Sequence, residues 1–211
     1  MKKISLLFAM LLFCGIAFSQ EEENEESKRK GKRVLPFRIG IKAGIPNGVG
    51  GNIEYVTPLL NDRIAVFGDY SGFSAEIDDA DTKLQYYEFG TNIYLFGNKG
   101  RGVYGALSYG KLNLDAEYNN YEFDTDSGVV TANAKGEYEV GTFNVKAGLK
   151  MGRRFYFRTE LGYGFGDVPQ EFVITGTANG MTQSEIIEIP EIPGMSESGY
   201  VMFNIGFGIG F

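Results

Sequence analysis

Residues 200–211 read Y-V-M-F-N-I-G-F-G-I-G-F. Val201, Phe203, Ile205, Phe207, Ile209 and Phe211 share one parity; Met202, Asn204, Gly206, Gly208 and Gly210 share the other. Successive side chains of an extended strand point to opposite faces, so a period of two held over this length predicts a strand with one wholly apolar face and one small, polar face. Such a strand suits a wall between hydrocarbon and a crowded interior.

The same period recurs upstream. Phe37, Ile39, Ile41, Ala43 and Ile45 oppose Arg38, Gly40, Lys42 and Gly44, and Pro46-Asn47-Gly48 reads as a tight turn. Val49, Gly51, Ile53 and Tyr55 oppose Gly50, Asn52 and Glu54. A third strand is expected over about 63–73 and a fourth over about 83–96, where Phe89, Thr91, Ile93 and Leu95 oppose Glu88, Gly90, Asn92 and Tyr94. A fifth strand over about 102–114 has no clear facing. In the sixth, over about 137–150, Phe143, Val145, Ala147 and Leu149 oppose Thr142, Asn144, Lys146 and Gly148. The seventh sets Phe155, Phe157, Thr159, Leu161, Tyr163 and Phe165 against Tyr156, Arg158, Glu160, Gly162, Gly164 and Gly166. The sequence therefore predicts an all-β fold, an eight-stranded antiparallel up-and-down barrel over 37–211. Residues 74–82, 115–136 and 167–199 are expected as long polar loops, the last holding a small hairpin (172–177 and 184–189) around Asn179-Gly180. That hairpin leaves ten strands open as an alternative to eight.

Alternation alone does not say which face is inside. A soluble barrel alternates too, with the apolar face inward. Three features favour the opposite sense here. The polar face is laced with glycine, which weakens a solvated strand but fits a narrow interior. Its charges have both signs, Arg38, Lys42, Lys146 and Arg158 with Glu54, Glu88 and Glu160, so they can pair inside as an interior charge network. One of those cations at mid-bilayer on a lipid face would cost about 2–4 kcal/mol. Phe and Tyr, finally, lie near strand ends as interfacial girdles do. The expectation is a transmembrane barrel.

Lys2 and Lys3 precede an apolar run over 4–18, and Ala17-Phe18-Ser19 offers small residues at a cleavage site. Residues 1–19 are expected to be a secretory signal peptide, followed by a disordered charged periplasmic tail over 20–36. Cleavage there leaves 192 of the 211 residues, with 18 basic against 27 acidic. That balance argues against nucleic acid as a partner, which needs a basic surface. Arg63, Lys99, Arg101, Arg153 and Arg154 fall in turns at one end. Acidic residues dominate the segments at the other.

The opening F-R-I-G-I-K-A-G, the internal F-R-T-E-L-G-Y-G-F-G and the terminal G-F-G-I-G-F, with the leader, resemble small outer-membrane β-barrel proteins of the OmpA/OmpX/OmpW type. The resemblance implies the outer membrane of a Gram-negative-type bacterium, surrounded by outer-membrane lipid. It also implies that Phe207, Ile209 and Phe211 belong to a signal read by the barrel-assembly machinery.

No catalytic, cofactor-binding or metal-binding residues are expected. The chain has no histidine, which excludes a Ser-His-Asp triad and a histidine metal site. Arg158 with Glu160 reads as a structural ion pair. Glu54 with Glu88 is a poor candidate for paired catalytic carboxylates. Asp124-Thr125-Asp126-Ser127-Gly128 departs from a calcium loop, its glycine one place early and Lys135 standing where the closing glutamate belongs. The expected role is structural or surface-interacting, with an extracellular partner reached through 115–136 and 167–199. The alternative is a narrow pore or side-opening barrel for small solutes.

Overall fold

The computed structural model describes residues 34–77, 80–97, 100–125, 128–178, 181–189 and 193–211. The expected leader, residues 20–33 of the tail, Asp78-Asp79, Asp126-Ser127 and the Asn179-Gly180 turn lie outside the described residues.

Among the described residues eleven strands run in order: β1 (Phe37–Ile45), β2 (Gly48–Val56), β3 (Ile64–Ile77), β4 (Ala80–Phe96), β5 (Gly102–Thr125), β6 (Gly128–Gly152), β7 (Phe155–Phe165), β8 (Glu171–Ala178), β9 (Met181–Glu188), β10 (Met195–Ser196) and β11 (Gly199–Gly210). Each of β1 to β6 pairs antiparallel with the next. β7 then pairs with β11 from Phe165↔Gly199 to Phe155↔Ile209. β11 returns to β1 from Arg38↔Gly210 to Ile45↔Phe203. Eight strands thus form the ring. The β8–β9 hairpin joins through β6, where Ala134–Gly136 pair with Ile174–Gly176, and does not enter the β7–β11 seam.

The apolar parity points outward around the ring. Ile41, Ile53, Phe89, Phe143, Leu161 and Phe207 are all exposed. Their neighbours one residue away are buried: Lys42, Glu54, Glu88, Asn144 and Glu160. The facing of β5 is resolved as well. Tyr104, Ala106 and Ser108 are buried, whereas Val103, Leu107 and Tyr109 face out. β1 and β2 have 9 residues and β7 has 11, close to the 9–11 that a tilted strand needs to cross a bilayer.

Two expected loops are strand instead. β3 and β4 pair to Ile77↔Ala80, so 74–82 is a hairpin end and not an acidic loop. β5 and β6 pair to Thr125↔Gly128, so 115–136 continues the wall. Within 167–199 the expected hairpin is present as β8 and β9, of 8 residues each. The expected contrast of short turns and long loops is replaced by a contrast in strand length, since β5 has 24 residues and β6 has 25. The longest connection on the opposite end is residues 57–63.

The reason lies in where the polar face points. Past Tyr109↔Phe143 the alternation persists with its sense reversed. Asn113, Asp115 and Glu117 now lie on the outward parity of β5, and Leu112, Leu114 and Ala116 on the inward parity. With its charges facing out this stretch has the look of a polar loop, although the period of two continues as far as Tyr118. One bulge interrupts it, between Tyr118 and Tyr121, with Asn120 at φ 59°. A bulge adds local twist and re-aims the strand.

Inside the ring the polarity changes at the same level. Below it, toward the end where β1 begins and β11 finishes, the interior is charged. Above it, Tyr86, Leu112, Tyr138, Val140, Tyr200 and Met202 close on Val168 to form an apolar plug. A second small core, Phe123, Ala132, Ala134 and Ile174, lies between the β5–β6 extension and the β8–β9 hairpin.

Candidate functional site

Two features stand out: the charged interior and the protruding sheet. All seven side chains expected in the interior network lie there, each no more than 4% exposed. Strand parity puts each of them inside, and the ring's closure brings them together.

The first cluster centres on Glu54. Arg38 Nη1 donates to Glu54 Oε1 at 2.9 Å and also to the Gly100 carbonyl. Asn92 Nδ2 donates to Glu54 Oε2 at 2.8 Å, and Lys150 donates to the same oxygen. Lys150 also donates to Tyr94 Oη at 2.9 Å and lies 5.2–5.6 Å from the ring centres of Tyr94, Tyr104 and Tyr156. An ammonium this close to three aromatic faces gains cation–π attraction in addition to its carboxylate. Gly100 itself adopts φ +70°, and a Cβ there would run into the Arg38 guanidinium and Val56.

The second cluster holds Asp69, Glu88 and Glu160 against Lys42, Lys146 and Arg158. Lys42 donates to Asp69 and lies 3.6 Å from Glu88 and 3.8 Å from Glu160. Lys146 Nζ is 2.7 Å from Glu88 and 3.7 Å from Glu160. Arg158 Nη2 donates to Glu160 Oε1 at 2.7 Å, and Tyr104 Oη donates to the same oxygen at 2.8 Å. The expected Arg158–Glu160 pair is therefore in contact. Glu54 and Glu88 belong to different cation sets.

Five cations thus face four carboxylates, a nearly neutral interior. Asp69 and Lys150 were missed from the sequence. Lys150 has the parity of Lys146 and was legible from that. Asp69 sits on β3, where no facing was assigned. Tyr94 and Tyr156 share the polar parity of Glu88 and Arg158, whereas Tyr104 lies on β5, whose facing alternation leaves open; which charge each of the three meets depends on the register. The remaining expected site residues, Phe207, Ile209 and Phe211, are exposed on the outward parity of the closing segment.

The protruding sheet has a different chemistry. Its outward face carries exposed pairs, Lys135 donating to Glu117 at 2.6 Å and Lys111 meeting Glu139. The hydrogen bond to Glu117 raises the Lys135 pKa. Burial, then the nearby Glu185, raises that of Tyr121. A polar groove of about 620 Å³ runs along this face, lined by Lys83, Asp115, Glu117 and Lys135 among others. Among the described residues no group of three or more acidic or cysteine side chains is placed to hold a metal ion. The Asp124–Gly128 motif lies at the β5–β6 tip, with Asp126 and Ser127 outside the described residues.

No protein-family model and no curated protein sequence matches the chain. Two solved structures are similar to it. Acinetobacter baumannii CarO is 12% identical, with 85% of this chain and 100% of that one covered, at a TM-score of 0.45. The N-terminal β-barrel domain of Pseudomonas aeruginosa OprF is 18% identical, with 84% of this chain and 98% of that one covered, at a TM-score of 0.41.

Proposed function

We propose that this chain is an outer-membrane β-barrel of a Gram-negative-type bacterium with a structural or surface-interaction role and no catalysis. The reversal of polarity along β5 and β6 carries this reading. Over 102–109 and 143–152 the outward parity is largely apolar; over 111–117 and 135–139 it is largely charged. One continuous pair of strands is thus built for two solvents, hydrocarbon and water. The interior acids and bases are sealed against each other, which leaves them no role as substrate-facing groups. The stiff sheet above the belt is the surface offered to a partner, and the closing residues Phe207, Ile209 and Phe211 suit recognition by the barrel-assembly machinery.

Two measurements test this. The folded protein in detergent should show heat-modifiable electrophoretic mobility, the mark of a closed barrel. Deleting 172–189 should abolish binding of an extracellular partner and leave insertion intact, because β7 pairs directly with β11. Loss of insertion on that deletion would contradict the reading.

The narrow-pore alternative draws on one observation. Glu88 Oε2, Glu160 Oε2 and both side-chain polar atoms of Asn204 are buried without a hydrogen-bond partner, as groups that take up water would be. The apolar plug above them opposes it. Planar-bilayer recording decides: a steady open conductance favours the pore, and silence favours the closed barrel.

A further inference from the structure

Three turns meet at the end of the ring where β1 begins and β11 finishes. Each sets arginine beside a large apolar side chain that faces outward. In the β2–β3 turn, Arg63 is exposed and follows Leu59 and Leu60, which are 59% and 69% exposed. In the β4–β5 turn, Arg101 is half-buried and follows Phe96, 68% exposed. In the β6–β7 turn, Arg153 and Arg154 are exposed and lie between Met151 and Phe155, the latter 71% exposed. Across 57–63, 97–101 and 152–154 the sequence holds one carboxylate, Asp62, against four arginines and Lys99.

Backbone bonds hold these turns in place. Gly100 N–H donates to the Asp62 carbonyl at 3.3 Å, Tyr94 N–H to the Arg63 carbonyl at 2.8 Å, and Gly210 N–H to the Arg154 carbonyl at 2.6 Å. The opposite end is built differently. There the belt gives way to Asp115, Glu117, Glu137 and Glu139, partly offset by Lys83, Lys111 and Lys135.

From this geometry we infer that the arginine collar binds the phosphates of anionic phospholipids in the leaflet at that end. The inference rests on the membrane-barrel reading and is continuous with its apolar belt. A long basic side chain just past a hydrocarbon belt lays its stem on apolar surface and its head among phosphates. The planar guanidinium matches phosphate oxygens in pairs. The far end, where carboxylates outnumber lysines, lacks such a site.

The test is spin-label EPR on the full chain folded into phosphatidylcholine vesicles, comparing spin-labelled phosphatidylglycerol with spin-labelled phosphatidylcholine at the protein surface. At low salt phosphatidylglycerol should be enriched about fivefold. In Arg63→Gln/Arg153→Gln/Arg154→Gln the enrichment should fall to parity, and the corresponding lysine replacements should retain most of it. Lys83→Gln/Lys135→Gln, at the other end, should leave it unchanged. Parity in the inserted wild type, or selectivity that survives the triple glutamine variant, overturns the inference and leaves the barrel reading standing. Loss of selectivity in the Lys83/Lys135 variant also overturns it, because the phosphate site then lies at the acidic end. If the triple variant fails to insert, Arg154→Gln alone should lower the selectivity, and an unchanged value there overturns the proposal. A wild type that does not insert takes down the barrel reading and this inference together.

Discussion

Lys146 Nζ lies 2.7 Å from Glu88 Oε1, although their strands, β6 and β4, are separated by β5. The pair reaches across the curvature of the wall, and Ser108 of the intervening strand donates to the same carboxylate. The side chains here are 0% exposed, so neither charge has water to fall back on. Removing one partner of such a pair strands the other. Lys146→Met should therefore destabilise the folded barrel by about 3–5 kcal/mol. Lys146→Met/Glu88→Met should recover part of that loss, because both charges leave together. Urea unfolding followed by circular dichroism in detergent measures both. A double variant no more stable than the single one contradicts the pairing.

Ile41 and Lys42 are adjacent in the chain and opposite in environment, one 66% exposed on the belt and the other 2% exposed inside. Ile41→Arg should impair folding into lipid by about 2–4 kcal/mol, the cost of an arginine on a lipid face at mid-depth. Folding into vesicles, read by the heat-modifiable band, measures it. The same substitution at Glu117, above the belt, should fold normally. Equal outcomes at the two sites argue against a lipid belt.

Two glycines make a second contrast. A Cβ on Gly162 would meet the Val145 carbonyl and the Lys146 side chain, whereas a Cβ on Gly51 would meet nothing within 4 Å. Gly162→Val should cost about 1–3 kcal/mol through overpacking. Gly51→Val should be neutral or stabilising, since glycine weakens a strand and valine suits one. Paired urea midpoints decide.

Ile174 of β8 is 0% exposed in the small core against Phe123 and Ala134. Ile174→Ala should cost about 2–5 kcal/mol of local stability. Hydrogen exchange should quicken in β8 and β9 while β7 and β11 keep their protection, because the hairpin lies outside the ring. Uniform quickening would mean that the hairpin and the wall unfold as one.

Lys135 offers a pH prediction. Its hydrogen bond to Glu117 raises its pKa, so the ammonium persists to higher pH than an ordinary lysine. The pair's contribution is present below the unfolded lysine pKa and fades as pH rises through the raised one. Pulse acetylation read by mass spectrometry should find Lys135 slow to react in alkaline buffer, and Glu117→Gln should speed it. No change in that variant removes the pair.

Much of the wall was legible residue by residue. The turn at Pro46-Asn47-Gly48, the facing of β1, β2, β7 and β11, and the inward parity of Arg38, Glu54 and Arg158 follow from alternation. The upper parts of β5 and β6 did not, because Asp115 and Glu117 look like loop once apolar-out is taken as the rule. Their inward neighbours Leu114 and Ala116 kept the same period and carried the missing signal.

By itself, the order of residues decided which side of each strand a group takes, since extended backbone gives it no choice. It left open how deep along the barrel that group lies and which distant strand it meets. Depth and partner depend on register, tilt and closure, which are properties of all eight strands at once. That is why Lys146 was visibly interior from its neighbours, while its carboxylate could be named only when β6 and β4 had curved toward each other around β5.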